Sequence, residues 1–121
     1  MRAVRYHDHG AADVLGVDEV DRPVPDADEV LVEMRAASVN PVDVLLRTGR
    51  YGDVSLPSIP GGDGAGVVAA VGDDVDGFTA GDRVFVSGMD RAAGGTFAEY
   101  AAVPVTKAAR LPDDVSFEVG G

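Results

Sequence analysis

The chain is poor in the side chains that usually carry covalent catalysis or hold transition metals. It has no cysteine, which excludes disulfides and thiolate metal sites. Its two histidines, His7 and His9, lie in a predicted surface turn without partners at metal-ligand spacing, and we assign them no role. No Ser-His-Asp or Cys-His set is present for nucleophilic catalysis. The residues therefore predict no metal site and no protein nucleophile.

The strongest local pattern is the glycine-rich segment 60–84, PGGDGAGVVAAVGDDVDGFTAGDRV. Four of its glycines would allow positive φ or close approach of another segment: Gly61, Gly62, Gly64 and Gly66. Gly81 and Asp82 are expected to shape a turn in which Asp82 bonds nearby amides. A phosphate cradle is disfavoured, because no G-x-x-x-x-G-K-[ST] motif occurs and a strand, not a helix, follows the glycines.

Short apolar runs between glycine and proline turns predict the elements that carry these residues. Strands are expected at 4–6, 14–20, 29–39, 61–72, 83–87, 96–103 and 106–110. Pro41 starts a two-turn helix that Gly49 ends, with Asn40 at the N-cap, and Ser116 is the expected N-cap of a second helix. The fold class is therefore mainly β with short helices, arranged as a small, partly open β-barrel.

Length and charge narrow the class of protein. The 121 residues suffice for one domain, and 45% hydrophobic residues provide a core. The formal net charge of −11 would repel nucleic acid and anionic membranes, so neither is an expected partner. No apolar run approaches the ~20 residues of a membrane span or a signal peptide's core, and the expected location is the cytoplasm.

The acidic set is unusual in kind as well as number. Aspartate accounts for 16 of the 21 acidic residues, and Lys107 is the only lysine. Such a surface resembles those of proteins from extremely salt-loving organisms, where salt screens the repulsion between hydrated carboxylates. The alternative is an ordinary acidic domain.

Three segments together resemble the N-terminal domain of zinc-free quinone oxidoreductases in the medium-chain dehydrogenase/reductase superfamily. They are SVNPVDVLLRTGRY, the glycine-rich segment 60–84 and GTFAEYAAVP, and they are spread over residues 38–104. The resemblance implies a GroES-like β-barrel over residues 1–121. It also implies transfer of reducing equivalents from NADPH or NADH to a quinone or conjugated carbonyl. The cofactor would be bound mainly by a Rossmann domain absent from this chain, so the fragment alone is expected to be inactive.

Zinc-dependent members of that superfamily have a cysteine where this chain has Asn40, and His-Glu where it has Gly62-Asp63. Asparagine and glycine cannot replace a thiolate and an imidazole at a tetrahedral zinc ion. The four-cysteine lobe common after G-D-R-V is replaced here by the loop SGMDRAAGG. We therefore expect no zinc, and we interpret Asp63 as a hydrogen-bonding or structural acid and a weak catalytic candidate.

The same resemblance implies the site residues. Asn40 would face the nicotinamide and bond the substrate carbonyl or the cofactor, while Asp43 would orient it or bond backbone in the adjoining helix. Tyr51 would stack on, or hydrogen-bond, a quinone or nicotinamide; alternatively it is a half-buried loop tyrosine. Arg47, with Arg50, would attract the anionic cofactor; alternatively both are exposed helix-end arginines. Asn40, Asp43 and Tyr51 are thus the catalytic candidates, and Asn40, Tyr51 and Arg47 the cofactor-binding ones.

Two other functions remain open. Enoyl or alkenal reductases without zinc share most of these motifs, and a stand-alone GroES-like binding module would need no cofactor. For the whole enzyme the resemblance implies a homodimer or homotetramer.

Overall fold

The computed structural model of the protein describes residues 1–52, 54–90 and 94–121. In these ranges lie seven strands: β1 (Arg2–Arg5), β2 (Gly16–Glu19), β3 (Glu29–Ser38), β4 (Asp63–Val71), β5 (Arg83–Val86), β6 (Tyr100–Pro104) and β7 (Ala108–Arg110). The two α-helices are α1 (Pro41–Arg47) and α2 (Phe117–Gly120), and 3₁₀ turns cover Ala12–Val14 and Val105–Lys107. The prediction of a mainly β fold with short helices is confirmed.

The larger sheet has the strand order β6-β3-β4-β5-β7, with every neighbouring pair antiparallel. Its long strand β3 contains the run Val30, Leu31 and Val32, and all three side chains are buried. Burial of consecutive residues, which point to opposite faces, means that both faces of β3 are covered at this point. The core on one side contains Val30, Val32, Val68, Val84, Val86, Met89, Ala101 and Val103.

Strands β3 and β4 approach each other unusually closely in the glycine-rich segment. A Cβ atom at Gly66 would lie 2.1 Å from the carbonyl oxygen of Glu33. The register between the strands also shifts between Met34 and Ala36, which marks a bulge at Arg35. A side chain at position 66 would therefore collide with β3, which confirms the predicted close approach of the backbone at Gly66.

The hairpin formed by β1 and β2 is joined to the larger sheet through the segment before β6. The Val4 N–H donates to the Phe97 carbonyl oxygen at 2.8 Å, and the Glu99 N–H donates to the Arg2 carbonyl oxygen at 3.1 Å. Two open sheets are thus connected by backbone hydrogen bonds, which agrees with a partly open barrel.

Several predicted strand boundaries were wrong for identifiable reasons. The strand expected from residue 96 begins at Tyr100, because the N–H groups of Thr96 and Phe97 bond to the 60–61 loop. The strands expected at 14–20 and 106–110 each begin with a 3₁₀ turn. The predicted loop 88–95 includes residues 91–93, which lie outside the described residues.

The helix boundaries agree better with the sequence. Helix α1 is followed by Gly49 at φ 79°, a left-handed conformation that ends helices. The Ser116 hydroxyl oxygen accepts the Val119 N–H at 3.2 Å, which confirms the predicted N-cap of α2. Within the described residues, no helix is long and apolar enough to cross a membrane.

Candidate functional site

The turn between β3 and α1 places Asn40 and Asp43 next to each other. Asn40 has extended backbone and occupies the N-cap, and Pro41 follows at the first helical position. The Asp43 carboxylate accepts the Asn40 main-chain N–H at 2.8 Å, and the Asp43 N–H donates to the Asn40 carbonyl oxygen at 2.9 Å. Asp43 is buried. The Asp43 carboxylate therefore holds the main chain of Asn40 in place, and its role toward a ligand stays a prediction.

The side chain of Asn40 points to the first residue of β4. Its amide nitrogen Nδ2 donates to Asp63 Oδ2 at 2.7 Å, and we call this contact the Asn40–Asp63 pair. The other carboxylate oxygen, Asp63 Oδ1, accepts the Gly88 N–H at 2.9 Å. The Asp63 carbonyl oxygen accepts the Thr96 hydroxyl at 3.0 Å, and Thr96 is itself buried. Asp63 thus joins three segments that are distant in sequence.

Strand register explains why Asn40 meets Asp63. Ser38 at the end of β3 is the Cα partner of Asp63 at the start of β4, so Asn40, two residues on, lies beside Asp63. Gly64 keeps this approach close, since a Cβ there would lie 2.7 Å from the Ala36 carbonyl oxygen. Gly61 has φ 106°, and its Cβ would lie 2.3 Å from the Thr96 hydroxyl oxygen. The glycines of the motif are therefore what lets the Asn40–Asp63 pair form.

Tyr51 and Arg47 are placed differently from Asn40. Tyr51 is 59% exposed, more than the half-buried loop tyrosine of the alternative interpretation, and within the described chain its hydroxyl has no hydrogen bond. Arg47 is half-buried, and its Nε donates to the Gly10 carbonyl oxygen at 3.2 Å. The Arg47 carbonyl oxygen accepts the Gly10 N–H at 3.1 Å. Arg47 therefore fastens α1 to the N-terminal turn, and its role toward a cofactor stays a prediction.

The two histidines take part in local contacts of exposed side chains. His7 Nε2 lies 2.8 Å from Asp18 Oδ2, and His9 Nδ1 lies 3.1 Å from the Arg47 carbonyl oxygen. His7 is the first and Arg5 the second cause that lowers the pKa of Asp18 below its ordinary value. In the part of the chain that the structure describes, no three His, Cys, Asp or Glu side chains cluster as a metal site.

With this geometry in view, residues 26–113 match the model of the alcohol dehydrogenase GroES-like domain. The chain belongs to this family. This chain is 39% identical over 122 residues to a human quinone oxidoreductase. The match covers 99% of this chain and 36% of that protein. The chain is 40% identical over 126 residues to the tomato (Solanum lycopersicum) 2-methylene-furan-3-one reductase, covering 97% of this chain and 32% of that protein.

Solved structures agree with these sequence relationships. The crystal structure of Escherichia coli quinone oxidoreductase complexed with NADPH superposes with a TM-score of 0.92 at 35% identity, covering 98% of this chain and 35% of that one. A quinone oxidoreductase from Pseudomonas syringae pv. tomato gives a TM-score of 0.92 at 34% identity, covering 98% of this chain and 36% of that one. The GroES-like fold is thereby confirmed. The chain spans only about a third of the length of the relatives it matches, 36% of the human protein.

Sequence reasoning did not find every residue of this network in the GroES-like domain. Gly88 and Thr96 follow Asp63 by 25 and 33 positions, and each contributes a hydrogen bond to it. Every residue except proline has a main-chain N–H, so the sequence does not indicate that Gly88 contacts Asp63. The sequence indicates Asp63 only as a weak candidate, because its contact with Asn40 depends on the register of β3 and β4.

Proposed function

We propose that this chain is the substrate-side domain of a zinc-free quinone oxidoreductase that uses NADPH or NADH. The observation that carries the proposal is the Asn40–Asp63 pair, in which Asn40 stands where zinc-dependent relatives have a cysteine ligand. The similarity to quinone oxidoreductases over nearly the whole chain supports the choice of substrate class. The nicotinamide, when bound, supplies the reducing equivalents, and the protein orients the two rings.

The donor set at this position does not suit zinc. The Asn40 amide and the Asp63 carboxylate offer only oxygen atoms as metal ligands. Gly62, which has no side chain, stands where an imidazole would be needed. The Asn40 amide already donates to the Asp63 carboxylate, so each side chain satisfies a polar group of the other. No step of the proposed reaction therefore depends on a metal.

The roles of the side chains follow from their contacts. Asn40, held by Asp43 at its main chain, contacts the substrate carbonyl or the nicotinamide through its carboxamide. Tyr51 is exposed and has its ring and hydroxyl available for a flat ligand. Arg47 contributes a positive charge to a domain that is otherwise strongly negative. This charge favours binding of an anionic cofactor.

The remainder of the proposed enzyme is a nucleotide-binding domain of Rossmann type that binds most of the cofactor. We place the enzyme in the cytoplasm as a homodimer or homotetramer. The shares of the relatives' lengths that this chain covers support a further domain. The coding sequence after codon 121 tests this directly: a glycine-rich A-A-G-G-V-G segment supports it, and a stop codon there contradicts it.

The function is tested by steady-state oxidation of NADPH and NADH by the full-length protein with 1,4-benzoquinone. We expect quinone reduction that survives treatment with a metal chelator. Asn40→Ala should lower kcat/KM by about tenfold or more, the value of a hydrogen bond near a charged group. Thr48→Ala, at the far end of α1, is the matched control and should leave kcat/KM unchanged. Absence of quinone reduction, or zinc-dependent recovery after chelation, would contradict the proposal.

A second candidate is reduction of a conjugated carbon-carbon double bond. It is favoured by the 40% identity to the tomato 2-methylene-furan-3-one reductase. The same assay with 2-alkenals in place of the quinone separates the two functions. Activity on alkenals alone would replace our substrate assignment by this one.

A further inference from the structure

We propose that Asp63 is a positioning residue that sets the orientation of the Asn40 carboxamide and couples it to Gly88. This inference rests on the proposed function, in which Asn40 contacts a ligand. Asp63 acts through Asn40 and needs no contact with the ligand, while its two carboxylate oxygens accept hydrogen bonds from Asn40 and Gly88.

The chemistry of Asp63 determines the direction in which the Asn40 amide faces. An ionised carboxylate only accepts hydrogen bonds, whereas an asparagine amide has a donor end and an acceptor end. With Asn40 Nδ2 and Asp63 Oδ2 2.7 Å apart, a flipped amide would bring two oxygen acceptors together. The flipped form is therefore disfavoured, and Nδ2 faces Asp63.

In this orientation Asn40 offers a donor to a ligand. The NH₂ group has two donors, and Asp63 accepts one of them. The second N–H remains as a donor for an acceptor atom such as the carbonyl oxygen of a quinone or conjugated ketone. Orientation by Asp63 thus makes Asn40 a carbonyl-recognising residue, and loss of Asp63 would let its acceptor end turn toward the same ligand.

Both oxygens of Asp63 are needed at once. Oδ1 accepts the Gly88 N–H at 2.9 Å while Oδ2 accepts from Asn40. Asparagine at position 63 has one oxygen and one NH₂, so it can keep only one contact and would place a donor against the other. Glutamate keeps two acceptor oxygens with one extra methylene. The Thr96 bond to Asp63 uses the main-chain oxygen, so it does not depend on the side chain at 63.

Gly88 links this pair to the core. It has φ 70°, and the next residue, Met89, is buried and donates its N–H to the Gly62 carbonyl oxygen at 2.9 Å. The end of β5 is therefore held by the same segment that holds Asn40. A change at Asp63 should be detected at both Asn40 and Gly88.

The structural part of the proposal is tested on this chain by ¹H–¹⁵N NMR, independently of activity. In Asp63→Asn we expect the Asn40 side-chain amide resonances to shift and the Gly88 amide to exchange about tenfold faster. Asp63→Glu should restore at least one of the two signals. Asp73→Asn removes the same charge from an exposed carboxylate and should change neither. An unchanged Asn40 side-chain amide in Asp63→Asn would overturn the proposal.

The functional part is tested by a double-mutant cycle in the full-length enzyme. Asp63→Asn should lower kcat/KM with the quinone about tenfold. In the Asn40→Ala background the same substitution should have no further effect, because Asp63 acts through Asn40. An equal loss in both backgrounds would show a purely structural role and refute positioning. If the wild-type enzyme does not reduce quinones, the proposed function fails, and the NMR result alone decides whether Asp63 positions Asn40.

Discussion

Asp82 illustrates how a single carboxylate organises a turn. The Thr79 N–H donates to Asp82 Oδ2 at 2.9 Å, and an Arg110 guanidinium nitrogen lies 3.1 Å from the same oxygen. The Thr79 N–H is the largest cause, and Arg110 a smaller one, that lowers the pKa of Asp82 below its ordinary value. The amide contact that the sequence predicted for the Gly81-Asp82 turn is confirmed.

The lowered pKa of Asp82 predicts how stability depends on pH. A carboxylate that is more acidic in the folded state stabilises that state above its unfolded pKa, and the contribution disappears as pH falls through the folded pKa. Asp82→Asn should therefore lower the Tm by a few degrees at pH 7. The Tm values should converge only below the ordinary value of 3.8.

Thermal melts of both proteins between pH 7 and pH 2 measure this. Asp73→Asn serves as the control, since Asp73 is an exposed carboxylate in the preceding loop. A Tm difference for Asp82→Asn that stays constant into acid would show that the charge of Asp82 is irrelevant.

At the scale of elements, Arg83 in β5 holds the C-terminal segment against the sheet. Its guanidinium donates to the Pro112 carbonyl oxygen at 2.7 Å and to the Val115 carbonyl oxygen at 2.6 Å. The same group lies 4.4 Å from the centre of the Phe117 ring. A four-residue helix such as α2 has little stability of its own, so these contacts and the Ser116 cap determine its position.

Arg83→Ala should consequently release α2 without unfolding the sheet. We expect the amides of Gly120 and Gly121 to exchange about tenfold faster or more, since charge-assisted hydrogen bonds are lost. Amides of β3 and β4 should keep their protection in hydrogen-exchange NMR. Arg83→Lys tests whether the planar guanidinium group is needed, because an ammonium cannot bond both carbonyls with the same geometry.

The control for this experiment is Arg50→Ala, which removes one positive charge from an exposed side chain beyond α1. Unchanged exchange at Gly120 and Gly121 in Arg83→Ala would mean that Arg83 does not hold α2.

At the scale of the whole molecule, the acidic side chains outnumber their possible basic partners by 21 to 10, which gives the net charge of −11. The acidic partners in the ion pairs between described residues include Asp18, Glu19, Glu33, Asp82 and Glu99. The excess of carboxylates contributes mutual repulsion, which salt screens over about 10 Å at 0.1 M. We propose that the protein works in a salt-rich cell.

Potassium chloride should accordingly stabilise the fold. We expect the Tm to rise markedly between low salt and molar potassium chloride, because screening reduces repulsion in the compact state. A non-ionic osmolyte at equal osmolality is the control for stabilisation that arises because a solute is excluded from the protein surface. A Tm that does not depend on potassium chloride would contradict adaptation to salt.

The sequence by itself determined the mainly β class, helix α1, the cap at Ser116 and the close approach at Gly66. These follow from local hydrophobic period, proline and glycine conformation and capping, which act over a few residues. Tertiary structure alone decided where β6 begins, how the hairpin joins the sheet and which side chain Asn40 meets. Those features depend on strand register and on contacts between residues 23 or more positions apart, and neither is encoded in the type of any one residue.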